Sequence, residues 1–95
     1  MNFVNLTPHT AEVLDENGEL IKEVRPSGKV GLAIGVPANL LNVPEPKSGI
    51  AYIVLPALTE ASDRDDLVSI QLDEAHRTRR GNVQAHVCYW KGEAA

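Results

Sequence analysis

Three short polar segments of this sequence carry side chains that can bind an anion or move a proton. The first is the corner Thr7-Pro8-His9, with Asn5 just before it. Because proline presets the backbone of a turn, His9 could be aimed into a pocket as a hydrogen-bond donor or general base, with Thr7 and Asn5 as further ligands. A self-contained turn, capped by Thr7 and bonded by Asn5, accounts for the same residues. The sequence leaves both interpretations open.

The second segment is the turn Pro26-Ser27-Gly28. Successive backbone amides and the Ser27 hydroxyl can hold a phosphate as anion-binding nests do, although the two small residues fall short of a P-loop. An ordinary β-turn, with proline presetting φ and Gly28 taking a positive φ, is the alternative. Ser27 is therefore a candidate ligand residue.

The third segment, Asp63-Arg64-Asp65-Asp66, places carboxylates around one guanidinium. The Arg64 guanidinium could donate two hydrogen bonds to a phosphate, while Asp66 orients Arg64 or contacts a ribose hydroxyl. Alternatively, the two residues form an internal ion pair that shapes the loop. The arginine among the carboxylates and the lack of EF-hand spacing argue against a divalent metal here.

The only concentrated positive charge lies between His76 and Arg80, in a chain whose formal net charge is -4. Arg77, Arg79 and Arg80 could attract phosphate, more strongly if two subunits bring such loops together across a symmetry axis. Charge that serves only solubility is the alternative. The histidines lack close metal-ligand spacing and no CxxC motif accompanies them, so the sequence predicts no metal and no cofactor.

Short β-strands must position these segments. Glycine and proline interrupt the chain at short intervals, and Val, Ile, Leu and Thr dominate between them. This pattern predicts an all-β fold, or a β-rich fold with one short helical turn, arranged as a small antiparallel meander, a sandwich or a partly open barrel. The turn Asp15-Glu16-Asn17-Gly18 predicts a hairpin that folds back into a strand at 20–24.

The remaining strand signals are spread over the rest of the chain. Val30, Leu32 and Ile34 alternate with small residues and predict a further strand, whereas residues 35–49 read as a long loop pinned by apolar anchors. Residues 50–55 would carry apolar side chains on both faces of a strand, which predicts a central strand that is covered on both sides. The sequence closes with a half-exposed strand at 68–72 and a last one at 83–90.

Composition bounds the class of protein. No linker or repeat divides the chain, so residues 1–95 are expected to form a single domain. The start has neither a signal peptide nor a membrane span, which predicts a cytoplasmic protein without a membrane partner. The acidic balance argues against duplex nucleic acid. Cys88 is the only cysteine, so a thin core without disulfides would gain support from homo-oligomer formation.

The motifs resemble those of a family. Asn5-Leu6-Thr7-Pro8-His9, Pro26-Ser27-Gly28 and Arg64-x-Asp66-Leu67 after a Tyr-Ile-Val strand are similar to a family of small phage- and prophage-encoded proteins of unassigned function. The resemblance implies an accessory phage protein: a virion or assembly part, a regulator of a host enzyme, or an inhibitor of host immunity. Some inhibitors of that last kind sequester a nucleotide immune signal, such as a cyclic dinucleotide or an ADP-ribose derivative, without reacting with it.

These observations favour a homo-oligomeric, non-enzymatic protein that sequesters a small phosphate-bearing nucleotide. Arg64, the basic loop and the Thr7-Pro8-His9 corner would hold the ligand. Because no nucleophile-base-acid set is recognisable in the sequence, binding is favoured over turnover. A protein–protein interaction module is one alternative. A small phosphodiester hydrolase with His9 as base and Asp66 as its orienter is another.

Overall fold

The computed structural model describes residues 2–34, 39–73 and 85–90. Within these ranges the chain is strand-rich with one short helix, which confirms the predicted all-β or β-rich class. The elements are β1 (Asn2–Asn5), β2 (Ala11–Leu14), β3 (Leu20–Val24), β4 (Leu32–Ile34), β5 (Asn39–Leu41), β6 (Ile50–Val54), α1 (Pro56–Ala61), β7 (Leu67–Ser69), β8 (Gln71–Asp73) and β9 (Ala85–Tyr89).

The hairpin between β2 and β3 forms where its turn residues predict it. Gly18 has a φ of 81°, a left-handed conformation that glycine adopts without a steric penalty. The Asp15 carboxylate accepts hydrogen bonds from the backbone amides of Asn17 at 2.8 Å and Glu19 at 2.9 Å. These bonds fix the reversal, and β2 and β3 then pair antiparallel.

The other strands pair in a mixed pattern, with parallel pairs that an antiparallel meander would lack. One sheet has the order β1-β6-β7 and another the order β3-β2-β9-β8, and β1–β6, β6–β7 and β2–β9 are parallel. Only Ile70 separates β7 from β8, so one bent strand joins the two sheets. A bridge between Asn5 and Pro26 brings the chain after β3 back to β1. The described strands therefore form several small sheets and no closed barrel, and the parallel pairs exclude a purely antiparallel meander.

The main core is built by both the β1-β6-β7 sheet and the β3-β2-β9-β8 sheet, and each strand of four or five residues contributes to it. Its buried members are Phe3, Ala11, Val13, Val24, Ala51, Ile53, Val68, Ile70 and Cys88. Two pairs of aromatic rings are in contact. The rings of Phe3 and Trp90 meet edge to face with centroids 5.4 Å apart, and the imidazoles of His9 and His86 stack at 3.9 Å.

A second cluster covers the outer face of β1, β6 and β7. Leu6, Tyr52, Val54, Leu58 and Leu67 are its buried members, and the β4–β5 hairpin packs Ala33 and Leu40 against it. The face of β4 that carries the small side chain of Ala33 therefore packs against the protein, while Leu32 and Ile34 on the other face remain exposed. Gly31 permits this approach, since a Cβ there would lie 2.9 Å from the Val43 side chain.

The predicted long loop at 35–49 contains more structure than a loop. Residues 39–41 form β5, which pairs antiparallel with β4. Of the three apolar residues expected to anchor this segment, Leu40 and Val43 pack against the second cluster, whereas Leu41 is 43% exposed. None of the helices in the described part of the chain is long and apolar enough to cross a membrane.

Candidate functional site

The Asn5 side chain is the centre of a buried hydrogen-bond network. Its amide nitrogen donates to the carbonyl oxygens of His9 at 2.7 Å and Val24 at 3.0 Å. Its amide oxygen accepts from the Thr7 backbone amide at 3.0 Å and lies 2.7 Å from the Thr7 hydroxyl. Asn5 and Thr7 are each only 1% exposed. Both side chains are therefore used inside the protein, as the self-contained turn predicts.

His9 takes its position from this network. The Thr7 hydroxyl accepts from the His9 backbone amide at 3.3 Å, and the His9 carbonyl is held by Asn5. The exposed imidazole then lies flat on His86, with an interplanar angle of 3°. Burial, and then the nearby His9, lower the pKa of His86 below its usual value.

The stacked geometry decides what the two imidazoles can do together. A metal ion binds imidazole nitrogen in the plane of the ring, and two parallel stacked planes share no such position. His9 and His86 therefore do not chelate one ion in this arrangement. In the described ranges, no group of three or more His, Cys, Asp or Glu side chains has the proximity to hold a metal.

The Pro26-Ser27-Gly28 turn lies directly beside the Asn5 corner. The Ser27 backbone amide donates to the Asn5 carbonyl at 2.9 Å, and the Gly31 amide donates to the Leu6 carbonyl at 2.9 Å. Gly28 has a φ of 96°, as a turn that needs glycine at this position requires. The Ser27 amide is thus committed to the protein, while its exposed hydroxyl lies 3.4 Å from the Lys29 carbonyl.

This turn forms one wall of an open cleft of about 360 Å³, which we call the Ser27 cleft. Its apolar side comes from the outer face of β1, and Lys29 is the one cation among the lining residues that the structure describes. The opposite wall is the segment after β5, where Asn42 has a φ of 61° and donates to the Val30 carbonyl at 3.2 Å. The lining residues are Val4, Leu6, Ser27, Lys29, Asn42, Val43 and Pro44.

Arg64 lies next to the Pro44 end of this wall, in an ion pair. Its Nε and Nη2 atoms donate to the two carboxylate oxygens of Asp66 at 2.9 and 2.7 Å. Nη2 also donates to the Pro44 carbonyl at 2.8 Å, and the guanidinium lies 5.8 Å from the centre of the Tyr52 ring. The hydrogen bond to Asp66 is the main reason that the pKa of Arg64 is raised. The internal pair predicted as one alternative is thus formed.

The structure brings some of the predicted site residues together and separates others. Asn5, Thr7, His9 and Ser27 form one neighbourhood, and Arg64 with Asp66 adjoins the far wall of the Ser27 cleft. His9 contacts His86 whereas Asp66 contacts Arg64, so the contacts give no support to a His9–Asp66 catalytic pair. The predicted phosphate residues Arg77, Arg79 and Arg80 lie outside the described residues.

Two cleft residues were not among those predicted from the sequence. Lys29 directly follows the Pro-Ser-Gly turn, and Asn42 lies in the segment read as a loop. A lysine just after a candidate anion-binding turn is a usable signal, because the turn and the cation would face one ligand. The role of Asn42 depends on a contact with Val30 across the β4–β5 hairpin, which no local pattern predicts.

Cys88 offers no reactive thiolate. Its side chain is fully buried in the core, and burial raises its pKa to about 12.

The comparisons with known proteins found no matching family model, no matching curated protein and no matching solved structure. The resemblance to the phage-encoded family therefore depends on the three short motifs alone.

Proposed function

We propose that this chain is a non-enzymatic binding protein that sequesters a small phosphate-bearing nucleotide in the Ser27 cleft. The observation that carries the proposal is the composition of that cleft, in which one lysine and one serine hydroxyl border an apolar surface. Ligand sites of this size combine apolar walls with a few orienting polar groups. A nucleotide has the complementary composition, with a flat base and charged phosphates.

The roles within the cleft follow from side-chain chemistry. Lys29 supplies the charge for a phosphate, and the Ser27 hydroxyl can turn from its 3.4 Å contact with the Lys29 carbonyl to donate beside it. Val4, Val43 and Pro44, which are half-buried or exposed, offer the apolar surface that a base requires. Asn5 and Thr7 do not line the cleft but help to position Ser27, because the Asn5 carbonyl accepts a hydrogen bond from the Ser27 amide. Arg64 supports the opposite wall through its bond to the Pro44 carbonyl.

Binding without turnover is favoured by the groups near the cleft. The imidazole of His9 is stacked on His86, and the Asp66 carboxylate is neutralised by Arg64. Neither is a lining residue of the cleft. A general base must reach the proton that it removes, and the described lining residues include no group suited to that role at neutral pH.

The proposal includes assembly into a homo-oligomer. Support comes from the outer face of the β4–β5 hairpin, where Leu32, Ile34 and Leu41 are 42 to 47% exposed. Apolar groups of this size on one face gain free energy when a second surface covers them. Light scattering during size-exclusion chromatography measures the assembly state, and a monomer at all concentrations would contradict this part of the proposal.

The test is to incubate the purified protein with ADP-ribose and with a panel of cyclic dinucleotides, then to separate free from bound ligand. The bound fraction is recovered by heat denaturation and identified by chromatography. We expect intact ligand that appears only after denaturation. An altered ligand would instead indicate an enzyme, and ligand that stays free throughout would contradict nucleotide binding.

A matched pair of variants locates the ligand. Lys29→Met removes the cleft cation while keeping an unbranched side chain, and we expect it to weaken nucleotide binding on the order of tenfold. Lys22→Met removes an exposed lysine from β3, which does not line the cleft. Equal affinities for the two variants would place the ligand elsewhere.

A further inference from the structure

A groove of about 460 Å³ lies where β7 and β9 separate, on a different part of the molecule from the Ser27 cleft. The described ladder between β8 and β9 ends at the pair Gln71 and Val87. Continued along the chain, that register would place Ser69 opposite Tyr89, but β7 bends away to pair with β6. The residues that line the groove are Asp65, Leu67, Val68, Ser69, Gln71, Tyr89 and Trp90.

The backbone of β7 presents hydrogen-bonding groups to this groove. Tyr52 donates its amide to the Asp66 carbonyl, and Ile70 donates its amide to the Val54 carbonyl. In a parallel ladder these two bonds direct the backbone groups of even-numbered residues toward β6. The amides and carbonyls of Leu67 and Ser69 therefore point away from β6, into the groove.

The opposite wall has a backbone edge of its own. The backbone amide of Trp90 donates to the Leu14 carbonyl at 2.8 Å, so the backbone amide of Trp90 points toward β2. By alternation the backbone groups of Tyr89 face away from β2, on the side that β8 occupies earlier in the strand. Both walls thus offer strand edges, which are the surfaces that an extended peptide recognises.

Two aromatic side chains of the groove favour an occupant: Tyr89 provides an exposed contact surface, and Trp90 has a hydrogen-bond donor that lacks an acceptor among the described residues. Tyr89 is 41% exposed, which is high for a large side chain next to a core. The Trp90 Nε1 atom is buried, and none of the described residues accepts its hydrogen bond. The atom is closed off in the free protein, so an incoming carbonyl oxygen would complete its hydrogen bond once the indole turns toward the groove. The relief of a buried, unsatisfied donor favours that movement.

The charge at the rim restricts the partner further. Asp65 is exposed and lines the groove, whereas the neighbouring Asp66 is neutralised by Arg64. Asp63, also exposed, adds to the negative potential of this loop. An occupant with a positive side chain at this end is complementary in charge, and an acidic occupant is repelled.

We propose that this groove binds an extended, basic peptide segment of a partner protein, which adds as a strand along the outer edge of β7. Peptide carbonyls and amides pair with Leu67 and Ser69, and a lysine or arginine of the segment reaches Asp65. The site is independent of nucleotide binding in the Ser27 cleft.

The probe is a fluorescein-labelled eight-residue peptide of alternating valine and lysine, titrated with the full chain and followed by fluorescence polarisation. Its valine–glutamate counterpart is the charge control. The same lysine peptide with N-methyl groups on alternate amides is the hydrogen-bond control. We expect the lysine peptide to bind, the glutamate peptide not to bind, and N-methylation along one edge to weaken binding on the order of tenfold.

The single tryptophan gives a direct readout of the location. On addition of the lysine peptide, the one indole N–H resonance should shift downfield as Nε1 gains an acceptor, and the Ser69 amide should exchange more slowly. Asp65→Asn should weaken the peptide two- to fivefold without changing nucleotide binding. Binding that is indifferent to N-methylation, an unmoved indole resonance or no binding at all would overturn the proposal.

Discussion

The Asn5 corner and the Ser27 cleft are joined by one hydrogen bond, yet they use polar side chains in opposite ways. In the corner, Asn5 and Thr7 are almost completely buried and bond to each other and to the backbone. In the cleft, Ser27 and Lys29 are exposed beside an apolar surface. The corner is built to hold a shape, and the cleft has groups left for a ligand.

This difference explains the form of the most specific motif in the sequence. Asn-x-Thr-Pro-His carries the residue types of a catalytic corner, but its amide and hydroxyl satisfy the backbone of a sharp turn between β1 and β2. Buried polar groups without such partners would destabilise the fold. A short polar motif can therefore be fixed by the needs of the fold next to a site, without contact to the ligand.

The largest effect should come from removing the centre of the corner. Asn5→Ala leaves the His9 and Val24 carbonyls and the Thr7 amide without their side-chain partner, and we expect it to lower the free energy of unfolding by about 3 kcal/mol. Urea denaturation measures the change. Asn2→Ala, at the exposed start of the same strand, is the control and should change stability by less than about 0.5 kcal/mol. A stable Asn5→Ala protein that fails to bind nucleotide would assign the corner to the ligand instead.

A smaller loss is expected at the turn that connects the two regions. Gly28→Ala places a Cβ at a φ of 96°, although no atom lies near enough to clash with it. The backbone strain should cost about 1 to 2 kcal/mol. Ser27→Ala keeps the turn and should be nearly neutral in the same urea denaturation experiment. If the two variants have equal stability, the positive φ of Gly28 is not required.

The ion pair beside the cleft should contribute less again. Asp66→Asn removes the charge that holds Arg64, whose side chain is only 19% exposed, and we expect a loss of about 1 kcal/mol. Asp65→Asn, one residue earlier and exposed, is the control for the loss of a negative charge. A loss that disappears in high salt for both variants would show that loop charge alone, and not the pair, matters.

The smallest effect concerns the stacked imidazoles and depends on pH. Because the pKa of His86 is lowered in the folded protein, the unfolded chain binds its proton first as the pH falls below about 6.5. Stability should therefore decline as the pH falls from about 6.5 to the lower pKa of His86 in the folded protein. Above about pH 6.5, His86 should make no pH-dependent contribution. The stability difference between the wild type and His86→Gln should change between pH 7.5 and 5.5. A constant difference would contradict the shift.

Local signals predicted the parts of the fold that local chemistry controls. The Asp15–Gly18 turn requires a carboxylate that bonds two amides and a glycine at positive φ, and both needs are visible in the sequence. The parallel pairs β1–β6 and β2–β9 join segments far apart in the chain. Their geometry is decided by which strands bury a common core, so turn residues do not reveal it.

The same limit applies to the candidate site. The sequence offered Ser27 and the Arg64–Asp66 pair as ligand residues, but it could not indicate that Pro44 connects them or that Lys29 faces the same cleft. The exposed side of β4 is a further example. Its larger side chains would be assigned to the core by size, yet Ala33 faces inward because Gly31 lets the hairpin approach closely.

The most direct test of the central claim is an amide NMR titration of the labelled protein with ADP-ribose, repeated with a cyclic dinucleotide. We predict that the largest shifts fall on Gly28, Lys29 and Val43, around the Ser27 cleft, with little change at His9 or His86. Shifts centred on the two histidines would contradict the division into a structural corner and a ligand cleft. Saturable binding with no shift in either region would remove the cleft as the site.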